Sequence, residues 1–278
     1  MPSLPFIGND GSAMRSLSST DISPLARYSA WSLLILLGHM CLNHLDDTVH
    51  NLMRGAGPSV FVFFRAVTEV GDSKWTLIPT GALGLVSLVA GRYLISGHHL
   101  AAMARWLSAA LFFIFTSVAF SGIAANIIKV IVGRGRPKLL DQSNFIGFDP
   151  FTLNANFHSF PSGHTNTAVA LALGISLLIP RWRTGLLTVA GIVGFSRVAV
   201  NAHFVTDVIG GAALAVVTTL WVRQGFAALG LVFIKNARGE YRLGWPGRLI
   251  PVATRYYIRR LPLIGPAAPG KVGSARRT

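Results

Sequence analysis

The chain has 278 residues and a single cysteine, Cys41, so no internal disulfide can hold it together. Charge is scarce too: 13% of the residues are Asp, Glu, Lys or Arg, about half the share of an ordinary soluble domain. Acids are scarcest, 10 Asp and Glu against 25 Lys and Arg, which leaves a net charge of +15. With 51% hydrophobic residues and a mean hydropathy of +0.53, this composition excludes a disordered chain and argues against a soluble globule. A basic excess points to nucleic acid or to an anionic membrane. In so apolar a chain, with no nucleic-acid motif, the membrane is the better partner, and the chain reads as a polytopic membrane protein.

A spanning helix needs about 20 mostly apolar residues. Six stretches qualify: Tyr28–Leu45, Trp75–Gly91, Trp106–Val132, Ser162–Ile179, Leu186–Val200 and Val208–Val222. The first is interrupted by His39, Asn43 and His44, and the last two reach full length only through neighbouring polar residues. Pro58–Val67 is too short to span and is expected at the interface or against the bundle. The predicted fold is an all-α bundle of six transmembrane helices. A polar tail, residues 1–26, precedes a core over 27–225, and a basic tail over 226–278 follows. Residues 1–26 show no basic start leading into an apolar run and a small-residue cleavage site, so they read as a cytoplasmic tail and not a signal peptide.

Lys and Arg in short loops mark the cytoplasmic side. Arg15, Arg27, the Arg92–Arg105 loop, Arg181, Arg183 and the run from Arg223 to Arg277 fall together on one side if six helices are counted. That predicts both termini in the cytoplasm. Lys129, Arg134, Arg136, Lys138 and Arg197 then lie on the opposite side, against the rule. Charged residues at membrane depth are expensive and raise a functional hypothesis.

The polar residues fall in three clusters. Lys129 to Arg136 and Pro137 close the third helix; seven residues make two turns, so the two cations share a face if the helix continues, although Gly133 and Gly135 favour a loop position for Arg136. Pro161, Ser162, Gly163 and His164 open the fourth helix, where Ser162 is a good cap, Gly163 admits close approach, and exposed amides attract anions. Ser196, Arg197, His203 and Asp207 join the last two helices; His203 and Asp207 stand four apart, so the carboxylate can orient the imidazole. Taken singly, each cluster has a plain structural explanation: snorkelling cations, a capped helix, an ion pair. The six-helix topology weakens all three, because it brings the clusters to one end of the bundle. Three cations, a helix N-terminus and two histidines at one place suit a phosphate.

Lys129-x6-Arg136-Pro137, Pro161-Ser162-Gly163-His164 and Ser196-Arg197-x5-His203-x3-Asp207 together resemble the three signature motifs of the type 2 phosphatidic acid phosphatase superfamily, complete and in order. The resemblance covers about residues 60–222. It implies His203 as a nucleophile forming a phosphohistidine, Asp207 as its orienting acid, and His164 as general acid and then base. It also implies that Lys129, Arg136, Ser162, Gly163 and Arg197 bind the phosphoryl oxygens, with no metal and no other cofactor. The expected activity is hydrolysis of a lipid phosphomonoester or diphosphate at the outer face of the cytoplasmic (inner) membrane. The substrate would be an undecaprenyl diphosphate, lipid A, phosphatidylglycerophosphate or phosphatidate. A phosphotransferase would carry the same motifs, and a non-catalytic protein of this fold is disfavoured by the intact His164, His203 and Asp207. The superfamily's soluble haloperoxidases are disfavoured by the apolar spans.

Other features carry less. The aromatics Phe145, Phe148, Phe151, Phe157 and Phe160 read equally well as an interfacial lid or as a packed loop, and His158 matches no motif position. Gly81, Gly84 and Gly91 suit close helix packing. His44, His50, His98 and His99 lack partners at ligand spacing. In the basic tail, Trp245, Tyr256 and Tyr257 are interleaved with Lys and Arg, which suits docking on anionic lipid.

Overall fold

The computed structural model describes residues 44–143 and 147–244, and the described residues from Leu45 onward form one compact unit. The expected first span falls outside the described residues but for its last two positions. Residues 44–54 are helical (α1), followed by α2 (Pro58–Thr68), α3 (Lys74–Val89), α4 (His98–Val132) and the short α5 (Pro137–Ser143). Next come α6 (Gly163–Leu178), α7 (Arg183–Ala199) and α8 (Val205–Ala228), then a hairpin of β1 (Phe233–Lys235) and β2 (Tyr241–Leu243). The described chain is therefore mostly helical. Among the described residues, Pro58–Leu94, His98–Val132 and Val205–Ala228 are long and apolar enough to cross a membrane, and Gly163–Leu178 is a shorter apolar helix.

Small side chains build the centre. Val118, Ala168, Ala170, Ala172, Val193 and Ala215 meet where α4, α6, α7 and α8 pack. In a membrane, helices associate by such close contact and not by excluding water. The outward faces are apolar: Leu83, Val86, Ile123, Ile127, Val217 and Trp221 are all exposed. A helix apolar on both its inner and outer faces is at home in lipid. The α3–α4 seam uses glycine as expected. A Cβ at Gly84 would touch the Phe112 ring and one at Gly91 would reach the Ala101 carbonyl, while Ser108 Oγ donates to the Gly84 carbonyl at 2.8 Å.

Of the two expectations for Pro58–Val67, packing against the bundle holds: α2 packs on α7 and runs through a 3-10 turn at Glu69–Gly71 towards α3, within one long helical stretch. Two other expectations shift. The Arg92–Arg105 loop shrinks to a few residues because α4 begins at His98; Ala101 and Ala102 are buried, and Arg105 Nη1 donates back to the Gly91 carbonyl at 2.8 Å. The start of the basic tail is also folded. Val232 and Phe233 are buried against α4, with Phe113 and Phe233 edge to face at 4.8 Å, and Trp106 Nε1 donates to the Gly244 carbonyl at 2.9 Å. Residues 245–278, which hold the expected lipid-docking aromatics, lie outside the described residues.

The end of α4 positions the site. Gly133 takes a left-handed backbone with φ of 58°, its N–H returning to the Lys129 carbonyl at 2.9 Å, so the helix stops and Arg134 and Arg136 fall on the loop beyond. A Cβ at Gly133 would also lie 1.8 Å from the Asp149 carbonyl oxygen. Gly133→Ala combines left-handed strain with a backbone clash and is expected to cost at least about 2 kcal/mol. It would be read as a lower midpoint of thermal unfolding in detergent; an unchanged midpoint would mean that this loop yields freely.

Candidate active site

All three sequence clusters meet at one end of the bundle. Lys129 occupies the last turn of α4, and its Nζ lies 3.1 Å from where a Gly163 Cβ would stand, directly over the first turn of α6. Lys129 is within electrostatic reach of Arg136, Arg197 and Asp207. His164 in turn feels Arg197, His203 and Lys129. A cavity of about 470 Å³ opens beside Lys129, Gly163 and His164, with Asp72, Leu77 and Asn126 on its other walls. Arg197 is anchored by Nη1 donating to Thr68 Oγ1 at 2.7 Å. The Nε atoms of Arg136 and Arg197 are buried with no hydrogen-bond partner among the described residues, so part of each guanidinium's donor capacity is left for a ligand.

The first turn of α6 is held against α8. Ser162 N–H donates to the Asp207 carbonyl at 2.9 Å, and a Cβ at Gly211 would meet the Ser162 carbonyl at 2.5 Å. Only glycine allows that approach. Ser162 is the N-cap by position, but its side chain makes no bond to the helix backbone. Its Oγ instead accepts from Thr165 Oγ1 at 3.0 Å, because the buried first turn supplies a hydroxyl in place of water.

His203 and Asp207 are both buried, and Asp207 Oδ2 lies 3.6 Å from His203 Nδ1, longer than a formed hydrogen bond. The carboxylate is held from other directions: Oδ2 accepts from Ser159 Oγ at 2.5 Å and from Phe204 N–H at 2.9 Å, and Oδ1 accepts from Arg134 Nη1 at 2.6 Å. Burial above all pushes the His203 imidazole down to about 4; Asp207 opposes the shift, while Arg197 and Arg136 add to it. At neutral pH the ring is uncharged and one nitrogen keeps its lone pair.

Sequence reading missed four residues here. Arg134 was visible only as a cation on the wrong side, yet its fork joins Asp207 to Asp46 of α1, with Nη2 to Asp46 Oδ2 at 2.8 Å. Ser159 had no signal beyond its place just before the second motif. His50, which has no partner at ligand spacing in the sequence, is buried: Nε2 pairs with Asp141 Oδ1 at 3.0 Å and the ring packs on Phe204. The pairing spans 91 positions, so local spacing could not reveal it. The aromatic segment proves to be both docked and exposed. Backbone bonds strap it to the end of α4, with Asp149 N–H to the Gly133 carbonyl at 2.7 Å and Ser159 N–H to the Arg134 carbonyl at 3.0 Å. The Phe148 and Phe151 side chains remain exposed, and Phe145 lies outside the described residues. His158 Nε2 pairs with the Thr152 carbonyl at 2.9 Å, within the same loop.

Lys129, Arg136 and Arg197 thus stand with His164 and His203 at one end of a helical bundle whose outward faces are apolar. The family model of the PAP2 superfamily matches residues 110–230, and the chain belongs to that superfamily and is a phosphatase. Among curated relatives, the lipid A 1-phosphatase of Rhizobium etli is 37% identical over 187 residues, covering 66% of this chain and 78% of the relative. That of Rhizobium johnstonii is 37% identical over 180 residues, 65% of this chain and 71% of the relative. Among solved structures, LpxE from Aquifex aeolicus matches at 18% identity and a TM-score of 0.45, over 65% of this chain and 95% of that one. A transmembrane PAP2-type phosphatidylglycerolphosphate phosphatase from Bacillus subtilis matches at 20% and 0.48, over 73% and 96%. Among the described residues three helices are long and apolar enough to cross a membrane, and the chain is an integral membrane protein.

Proposed function

We propose that the protein removes a phosphate from lipid A, at the 1-position, through a phosphohistidine on His203. The observation that carries the reading is the electrostatic proximity of Lys129, Arg136, Arg197, His164 and His203, from three separate clusters of the sequence, with a cavity opening beside Lys129 and His164. The substrate class is suggested by the two relatives named lipid A 1-phosphatase. Nδ1 of His203 is turned to Asp207, which leaves Nε2 to attack phosphorus. As the N–P bond forms, the P–O bond to the lipid breaks and His164 gives its proton to the leaving oxygen. A water then attacks phosphorus, His164 takes its proton, and cleavage of the N–P bond returns neutral His203 with inorganic phosphate. Lys129, Arg136, Arg197, the Ser162 hydroxyl and the Gly163 amide hold the phosphoryl oxygens, where charge spreads in the transition state. Asp46 and Asp207 are tied to Arg134 and Asp72 to Lys74, and the reading calls for no metal.

The excess of Lys and Arg on the other side of the bundle supports a site at the outer face of the inner membrane, with both termini cytoplasmic. The basic tail over 226–278 fits a role on anionic lipid by composition alone. The test is phosphate release by detergent-solubilised protein from lipid A, phosphatidate, phosphatidylglycerophosphate and undecaprenyl diphosphate, with and without EDTA. Release from lipid A at the 1-position, unchanged by EDTA, is expected. Turnover of the other lipids with none of lipid A would overturn the substrate, and loss of activity on chelation would overturn the metal-free mechanism.

A further inference from the structure

Asp207 belongs to a longer chain of buried charge. Arg134 donates from Nη1 to Asp207 Oδ1 and from Nη2 to Asp46 Oδ2, so one guanidinium ties together two carboxylates from α1 and α8. Thr206 closes the ring. Its N–H donates to Asp46 Oδ1 at 2.9 Å, its hydroxyl donates to Asp46 Oδ2, and that hydroxyl accepts from Arg134 Nη1 at 2.6 Å. The Phe204 ring lies 4.6 Å over the Arg134 guanidinium, so the fork is fixed in its plane as well as along its arms. Asp46 and Asp207 are 2% and 0% exposed, which removes water as a competitor for any of these bonds.

A guanidinium shared between two carboxylates gives each only part of its charge. With Asp46 in place, Asp207 keeps negative character for His203 while Arg134 fixes the plane of its carboxyl group. Without the Asp46 charge, Arg134 belongs to Asp207 alone and draws its density away from the imidazole. We infer that Asp46 is a positioning residue for the catalytic pair, setting the pose and effective charge of Asp207 through Arg134 and Thr206. The inference rests on the reading of His203 as nucleophile, and it holds for any phosphate ester bound there.

The experiment therefore uses p-nitrophenyl phosphate, a generic phosphomonoester, so that a wrong lipid assignment leaves the comparison intact. Asp46→Asn removes the charge with little change of shape. Its kcat is expected to fall roughly 10- to 100-fold, the range for groups that orient a first-contact residue. KM and the inhibition constant of inorganic phosphate should stay within about twofold, because Lys129, Arg136 and Arg197 are untouched. A wild-type kcat would overturn the inference. So would a parallel loss of kcat, phosphate affinity and thermal stability, which marks a plain structural clamp. If Asp46→Asn does not accumulate folded, Arg134→Lys probes the same link from the middle, keeping the charge but not the two-armed reach. Reduced kcat with unchanged phosphate inhibition supports the inference there, and a wild-type kcat overturns it.

Discussion

His203→Ala is expected to lower phosphate release by about four orders of magnitude or more, with membrane insertion and thermal stability close to wild type. The size follows from losing a covalent nucleophile, since water must then attack the lipid phosphate directly in a site shaped for imidazole. Stability should hold because the ring's Nδ1 makes no hydrogen bond to Asp207, whose oxygens are satisfied by Ser159, Phe204 N–H and Arg134. The ring is also uncharged when buried, so no ion is left behind by its removal. Binding of inorganic phosphate should survive, since the three cations remain. The measurement is single-turnover phosphate release beside a melting curve; substantial turnover by the alanine variant would remove His203 from the reaction path.

Arg134→Ala is expected to have the largest effect on the fold. It strips the shared cation from Asp46 and Asp207, both buried, and leaves two like charges in a dry site with Thr206, Ser159 and Phe204 N–H as their nearest relief. Breaking a buried pair by removing one partner costs about 3–5 kcal/mol. For a domain of this size that is roughly a 10 °C fall in melting temperature. The contrast with His203→Ala is informative: one variant folds and does not turn over, and the other loses the fold first. A melting temperature within a few degrees of wild type would show that the carboxylates take up protons or water at little cost.

The proposed phosphate-binding part of the site was legible because its residues are tied to spacing. Lys129 and Arg136 bracket a helix end marked by Gly133, His164 follows the Ser162–Gly163 helix start, and His203 and Asp207 stand one turn apart. The structure brings these residues to one place. The support behind them was not legible. Asp46 sits where His39, Asn43 and His44 had already broken the apolar run, so its charge read as part of a ragged helix end. Its partner Arg134 is 88 positions away, across helices. A stronger signal was available: with only 10 acids in the chain, a carboxylate beside an apolar stretch calls for a cation, and Arg134 was the one cation between the two motif residues of its cluster. Helix limits slipped for a related reason. His98, His99 and Arg105 look like loop residues by hydropathy, yet they lie on the first turns of α4, where Arg105 finds the Gly91 carbonyl and the neighbouring alanines pack.

The small hairpin after α8 bears on how the chain can be handled. Phe233 fills a space against Phe113 and Phe226, and Trp106 reaches forward to the Gly244 carbonyl. Shortening the chain, or attaching a fusion partner, between Ala228 and Phe233 would uncover the Phe113 side of α4 and leave an aromatic-lined hollow in the bundle. The same cut placed after Gly244 keeps every one of those contacts, which makes the end of β2 the natural boundary for an engineered version of this phosphatase.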